Sequence, residues 1–126
     1  MAPRRILIID DEPDIREVAH VSLEMVGGYG VLSAGSGPEG LELARAERPD
    51  AILLDVMMPG MDGPATFRAL QADPDTRDIP VVFLTAKASS ANRQEFEALG
   101  VAAVLAKPFD PLTLASQLAQ ALQWVP

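Results

Sequence analysis

The chain contains no cysteine. That removes disulfides, thiol nucleophiles and thiolate metal sites, and it suits a reducing cytoplasm, the expected location. Basic residues are scarce: 10 Lys and Arg stand against 18 Asp and Glu, a formal charge of -8. A nucleic-acid footprint needs a basic patch, and an anionic membrane surface also attracts one, so neither partner is expected. No apolar run approaches the roughly 20 residues of a membrane span. The opening Met-Ala-Pro-Arg-Arg lacks the long apolar stretch and small-residue cleavage site of an export signal. Repeats, low-complexity tracts and linkers are also missing. At 126 residues the chain is long enough for one domain with one core. A single domain over 1–126 is expected, with no output domain following it.

What is present alternates. Apolar runs read as strands at Arg4–Ile9, Tyr29–Ala34, Asp50–Asp55, Ile79–Leu84 and Val101–Ala106. Continuous Val, Ile and Leu, without polar alternation, mark strands buried on both faces. Between them lie helical stretches. Pro13 suits the first turn of one, where no N–H is needed, with Ile15, Val18, Ala19, Ser22 and Val26 spaced along an inward face. Gly27-Gly28 ends that helix, since glycine takes the left-handed cap cheaply. A second helix runs from Ser36-Gly37-Pro38 to Glu47, with Leu41 and Ala44 inward. A third follows the Met57–Gly63 loop and reaches about Ala72 before the polar turn Asp73–Asp78. A short polar helix spans Ala91–Leu99. The last, capped by Asp110-Pro111, reaches about Gln123 with Leu114, Leu118 and Leu122 in register. Strands alternating with helices imply parallel pairing through right-handed crossovers, hence an α/β doubly wound three-layer sandwich.

The chemistry gathers where strands end. Asp10 and Asp11 follow the first strand and Asp55 closes the third. In an open parallel sheet such ends share the carboxyl edge, where ligands bind. Three crowded carboxylates repel unless a cation joins them, and a hard divalent cation such as Mg2+ fits oxygen ligands. A metal beside a carboxylate suggests phosphoryl chemistry.

These residues resemble a known family. The pair Asp10-Asp11, the segment Ile52-Leu-Leu-Asp-Val-Met-Met-Pro-Gly-Met-Asp-Gly63, Leu84-Thr-Ala86 and Ala106-Lys-Pro-Phe109 resemble, in order, four motifs of the receiver domain of two-component response regulators. Each fragment alone is weak. Four in order, each at a predicted strand end, form a strong signal. The resemblance covers nearly the whole chain and implies a flavodoxin-like, five-stranded parallel sheet in the order 2-1-3-4-5, flanked by five helices. It implies that Asp55 is the phosphoacceptor, with Mg2+ held by Asp10, Asp11, Asp55 and the backbone carbonyl of Met57. Thr85 becomes the switch hydroxyl and Lys107 the phosphoryl-binding cation. The implied donor is a sensor histidine kinase or a histidine phosphotransfer protein, docking on Ile15, Val18 and Pro108. Output would be a downstream protein target, with a phosphorylation-dependent homodimer left open. The chain would then be a single-domain regulator or a receiver cut from a longer protein. It would be no enzyme beyond its own phosphorylation and dephosphorylation. A cis Lys107–Pro108 bond is also implied.

Plainer readings stand beside these. Asp11 suits a helix N-cap. Asp55 alone suits a turn, Thr85 a strand end, and Lys107 the surface. His20 is read as an ordinary residue on the first helix, not a phosphohistidine. Met57, Met58 and Met61 are read as loop packing in preference to a thiophilic site. Trp124 either packs on the last helix or lies free. One position departs from the family: Val104 stands where an aromatic residue commonly gates the output face, and valine is too small for that role. Readout through Phe109, the backbone of the fourth helix or a dimer contact is the expected substitute. Met57 and Lys87 flank the approach to the phosphoryl group, so its lifetime should depend on both. The rivals are a phosphate-independent interaction module, favoured by Val104, a haloacid-dehalogenase-type phosphatase and a flavodoxin-like cofactor carrier. The phosphatase needs a second aspartate where Met57 stands. The carrier needs a phosphate-cradling loop where Asp10-Asp11-Glu12 stands.

Overall fold

A computed structural model describes residues 3–124. Five strands, β1 (Arg5–Ile9), β2 (Gly30–Ala34), β3 (Ala51–Asp55), β4 (Val81–Thr85) and β5 (Ala103–Ala106), alternate with five helices. These are α1 (Pro13–Met25), α2 (Gly37–Glu47), α3 (Gly63–Ala72), α4 (Ser90–Glu97) and α5 (Leu114–Ala121). The strands form one parallel sheet in the order β2-β1-β3-β4-β5, as expected.

Side chains alternate across a strand, so each strand feeds two cores. Leu7, Ile9, Ile52, Leu54, Phe83 and Val104 point to one face with Phe67 and Leu70 of α3. Ile6, Ile8, Leu53, Val82 and Leu84 point to the other with Ala19 and Leu23 of α1 and Leu114 and Leu118 of α5. β3 and β4 are buried at every residue, which explains their unbroken apolar composition. Burying each such Leu or Ile contributes roughly 1.5–3 kcal/mol.

Some expectations need correction. On α1 the buried residues are Ala19, Ser22 and Leu23, whereas Val18 and Val26 are 43% and 51% exposed. Ala19 and Leu23 stand one turn apart, and Val18 lies about 100° round the helix from Ala19. Gly28, at φ +72, does turn the chain after α1. Asp110-Pro111 does not cap α5. The Asp110 carbonyl accepts the Thr113 and Leu114 N–H groups and its carboxylate accepts that of Leu112, so a separate turn precedes the helix. α5 stops at Ala121. Trp124 packs: its ring meets Tyr29 edge-on at 5.5 Å and lies 4.4 Å from the Arg4 guanidinium.

Candidate functional site

Register brings the acidic residues together. Ile9 pairs with Leu54, so the next residues, Asp10 and Asp55, meet at the carboxyl edge. Asp10 and Asp55 continue the series Ile6–Ile8 and Leu53, on the face of α1 and α5. Lys107 follows Ala103 and Leu105 on that same face. Its N–H donates to the Thr85 carbonyl (2.9 Å), and the Lys107–Pro108 bond is cis. From there the ammonium reaches Asp10 Oδ2 at 2.8 Å, Asp55 Oδ1 at 3.2 Å and Glu12 Oε1 at 3.2 Å. Thr85 has the opposite parity, following Val81 and Phe83. It is fully buried, and its hydroxyl accepts the Lys87 N–H at 2.9 Å.

The carboxylates of Asp10, Asp11, Glu12 and Asp55 can bring one oxygen each within 4.8 Å of the others. Asp10 and Asp55 are buried, Asp11 half-buried and Glu12 exposed. Burial is the largest influence on Asp55; with the Asp10 charge it raises the carboxyl from 3.8 to about 6, against the opposing Lys107 ammonium and Met57 N–H. For Lys107 burial works to lower the pKa. The hydrogen bond and charge of Asp10 and the charge of Asp55 outweigh it, so the ammonium is held more firmly than usual. One lysine still leaves this group short of positive charge. The buried Oδ2 of Asp55 lacks a hydrogen-bond partner, and that of Asp10 is met only by the Lys107 ammonium at 2.8 Å. An unpartnered buried Asp55 oxygen beside the carboxylates of Asp10, Asp11 and Glu12 makes a donor set that suits a hard divalent cation.

Asp11 does not cap α1. Glu12 occupies the N-cap position without a side-chain cap bond, while Asp10 Oδ1 accepts the Glu12 N–H. Met57 is 60% exposed and Met58 is buried. Lys87 is exposed and Val104 buried. His20 sits on α1, 3.3 Å from Glu24 one turn on. Three neighbours of the site escaped sequence reading. Glu12 figured in the sequence only as part of the Asp10-Asp11-Glu12 stretch that excludes a phosphate-cradling loop, not as a neighbour of Lys107. Arg16 donates to the Asp10 carbonyl at 2.7 Å, which an arginine one turn into α1 could have suggested. Gly63 starts α3 directly behind Asp55: a Cβ there would stand 2.7 Å from the Asp55 carbonyl and the Val56 Cα.

Residues 6–119 match the family model described as the response regulator receiver domain. The chain belongs to that family. Its members are signalling switches, not enzymes in the usual sense, and the phosphatase reading falls with this assignment. The chain is 39% identical over 123 residues to the phosphate regulon transcriptional regulatory protein PhoB of Pseudomonas aeruginosa, covering 98% of this chain and 53% of that protein. It is 44% identical over 112 residues to the response regulator PleD of Caulobacter vibrioides, covering 87% and 24%. Among solved structures, the chemotaxis response regulator CheY4 of Vibrio cholerae superposes with a TM-score of 0.88 at 33% identity, over 95% of this chain and 99% of that one. The chain spans about half the length of several curated relatives it matches. Among the described residues no helix is long and apolar enough to cross a membrane.

Proposed function

We propose that this receiver takes a phosphoryl group onto Asp55 from the phosphohistidine of a sensor histidine kinase or histidine phosphotransfer protein. The carrying observation is the buried Asp55 carboxylate, with one oxygen unpartnered and the other 3.2 Å from the Lys107 ammonium. In the transfer the P–N bond of the donor breaks and a P–O bond to Asp55 forms. Hydrolysis later breaks that bond and releases inorganic phosphate. Asp10, Asp11, Asp55 and the Met57 carbonyl would hold Mg2+, which when bound neutralises charge on phosphoryl oxygens. Lys107 offers a compact cation to a second phosphoryl oxygen. Thr85 turns its hydroxyl from Lys87 towards the new charge, roughly -1.5 to -2 by analogy with phosphoesters. That movement biases the surface formed by α4, β5 and α5.

Partners follow from exposure. Val18, Val21 and Met25 form an apolar stripe on α1, 43%, 48% and 78% exposed. With half-buried Ile15 and exposed Pro108 it suits the donor. Signalling then runs to a downstream protein, in the cytoplasm, with a homodimer of phosphorylated chains as one form of output. The charge of -8 keeps nucleic acid out of this reading. Exposed Met57 and Lys87 stand beside the site, and equal dephosphorylation rates in Met57→Asn, Lys87→Glu and wild type would remove them from control of phosphate lifetime. Val104 favours a second reading, a phosphate-independent interaction module. Intact mass after acetyl phosphate, with and without Mg2+ and in Asp55→Ala, separates the two. One added phosphoryl group needing both Mg2+ and Asp55 supports the switch; no adduct supports the module.

A further inference from the structure

We infer that Arg93 is the positioning residue that ties the switch loop to the output face, in the place where Val104 leaves no aromatic gate. Residues 86–89 join β4 to α4. Arg93 reaches back from α4 to both ends of the problem: its Nε donates to the Ala88 carbonyl at 2.9 Å and its Nη1 to the Val104 carbonyl at 2.6 Å. One planar fork thus holds loop, helix and strand together, which a point-charge ammonium cannot do.

The rest of α4 is lightly held. None of its residues is buried. Phe96 touches the core edge-on, 5.4 Å from Phe83, and Ser89 caps the first turn by accepting the Asn92 N–H. The Val104 side chain is buried, so its position communicates through its carbonyl and not through a swinging side chain. At the other end of the loop, Thr85 Oγ1 holds the Lys87 N–H. This rests on the proposed inward turn of Thr85: when the hydroxyl leaves, Lys87 loses its acceptor and the loop shifts one residue away from Ala88. Arg93 then carries that shift to α4 and β5 by releasing or re-aiming one of its two bonds. Loss of the fork leaves the loop and helix free of each other.

The test is amide hydrogen exchange over 86–97 in wild type, Arg93→Met, Arg93→Lys and Ser89→Ala, with and without acetyl phosphate and Mg2+, with intact mass read in parallel. Without the donor, Arg93→Met should speed exchange in this segment by at least about five-fold. With the donor it should still gain one phosphoryl group, yet show little further change in exchange. Arg93→Lys should recover only part of the wild-type pattern. Ser89→Ala should speed exchange in α4 but keep the donor response, which separates coupling from simple helix support. Wild-type exchange in donor-free Arg93→Met, or a full donor response in that phosphorylated variant, would overturn the inference. If wild type itself takes no phosphoryl group, the proposed function fails, and the donor-free comparison alone decides whether Arg93 clamps the loop.

Discussion

The carboxyl ends of β1 and β3 and the neighbouring helix α4 are held in opposite ways. Asp10 follows and Asp55 ends strands buried at nearly every residue; Lys107 braces both in front and Gly63 lies behind Asp55. α4 buries no residue and depends on Phe96, the Ser89 cap and the two bonds of Arg93. Dense packing has no room to adjust, so it fixes reacting groups to a fraction of an ångström. A helix with few buried contacts opens at low free energy and can answer a small change elsewhere. The contrast sets a rigid charge cluster beside a helix that few contacts hold in place.

The contrast can be broken most strongly at Lys107. Lys107→Met leaves two buried carboxylates without their cation, and should lower stability by about 3 kcal/mol at neutral pH. Urea titration in EDTA would measure it, and millimolar Mg2+ should return part of the loss. A variant as stable as wild type without metal would show that the cluster is not braced by the lysine. Next comes Gly63→Val. Its added carbons meet backbone that cannot yield, so a loss of about 2 kcal/mol is expected, together with poorer phosphorylation by acetyl phosphate.

Asp55→Asn should act in the other direction. The folded protein raises the Asp55 carboxyl from 3.8 to about 6, so it holds this proton more tightly than the unfolded chain does. The resulting penalty is absent below pH 3.8, grows between 3.8 and about 6, and is complete above. Removing the charge should therefore stabilise the metal-free protein at pH 7 by about 1–2 kcal/mol, allowing for solvent screening. The gain should vanish near pH 4 in thermal melts. A gain that persisted at pH 4 would point to packing instead of charge. The smallest effect belongs to Ser89→Ala, about 0.5–1 kcal/mol for a lost cap. It should appear as local exchange in α4 and leave the acidic edge untouched.

Much of this was legible in residue order. β3 and β4 announced themselves because a strand buried on both faces needs apolar residues throughout. Asp10, Asp11 and Asp55 were found because strand ends share an edge, Thr85 and Lys107 only through the resemblance to receiver domains, and the structure does bring Asp10, Asp11, Asp55 and Lys107 together. Helix faces were read less well. Val18 looked inward by composition, but valine is common on exposed faces, and only the position of the sheet selects Ala19 and Leu23. The start of α5 was misplaced because Asp110 serves a turn with the same bonds that would cap a helix.

Local chemistry determined the alternation of strands and helices, the turns, and which residues carry charge at strand ends, because each depends on neighbours a few positions away. Long-range packing decided the rest. Lys107 meets Glu12 across 95 residues, Gly63 must be small because Asp55 and Val56 back onto it, and Arg93 finds the Val104 carbonyl only where α4 crosses β5. Such contacts depend on how finished elements stack, and side-chain order along the chain carries no record of the distance between them.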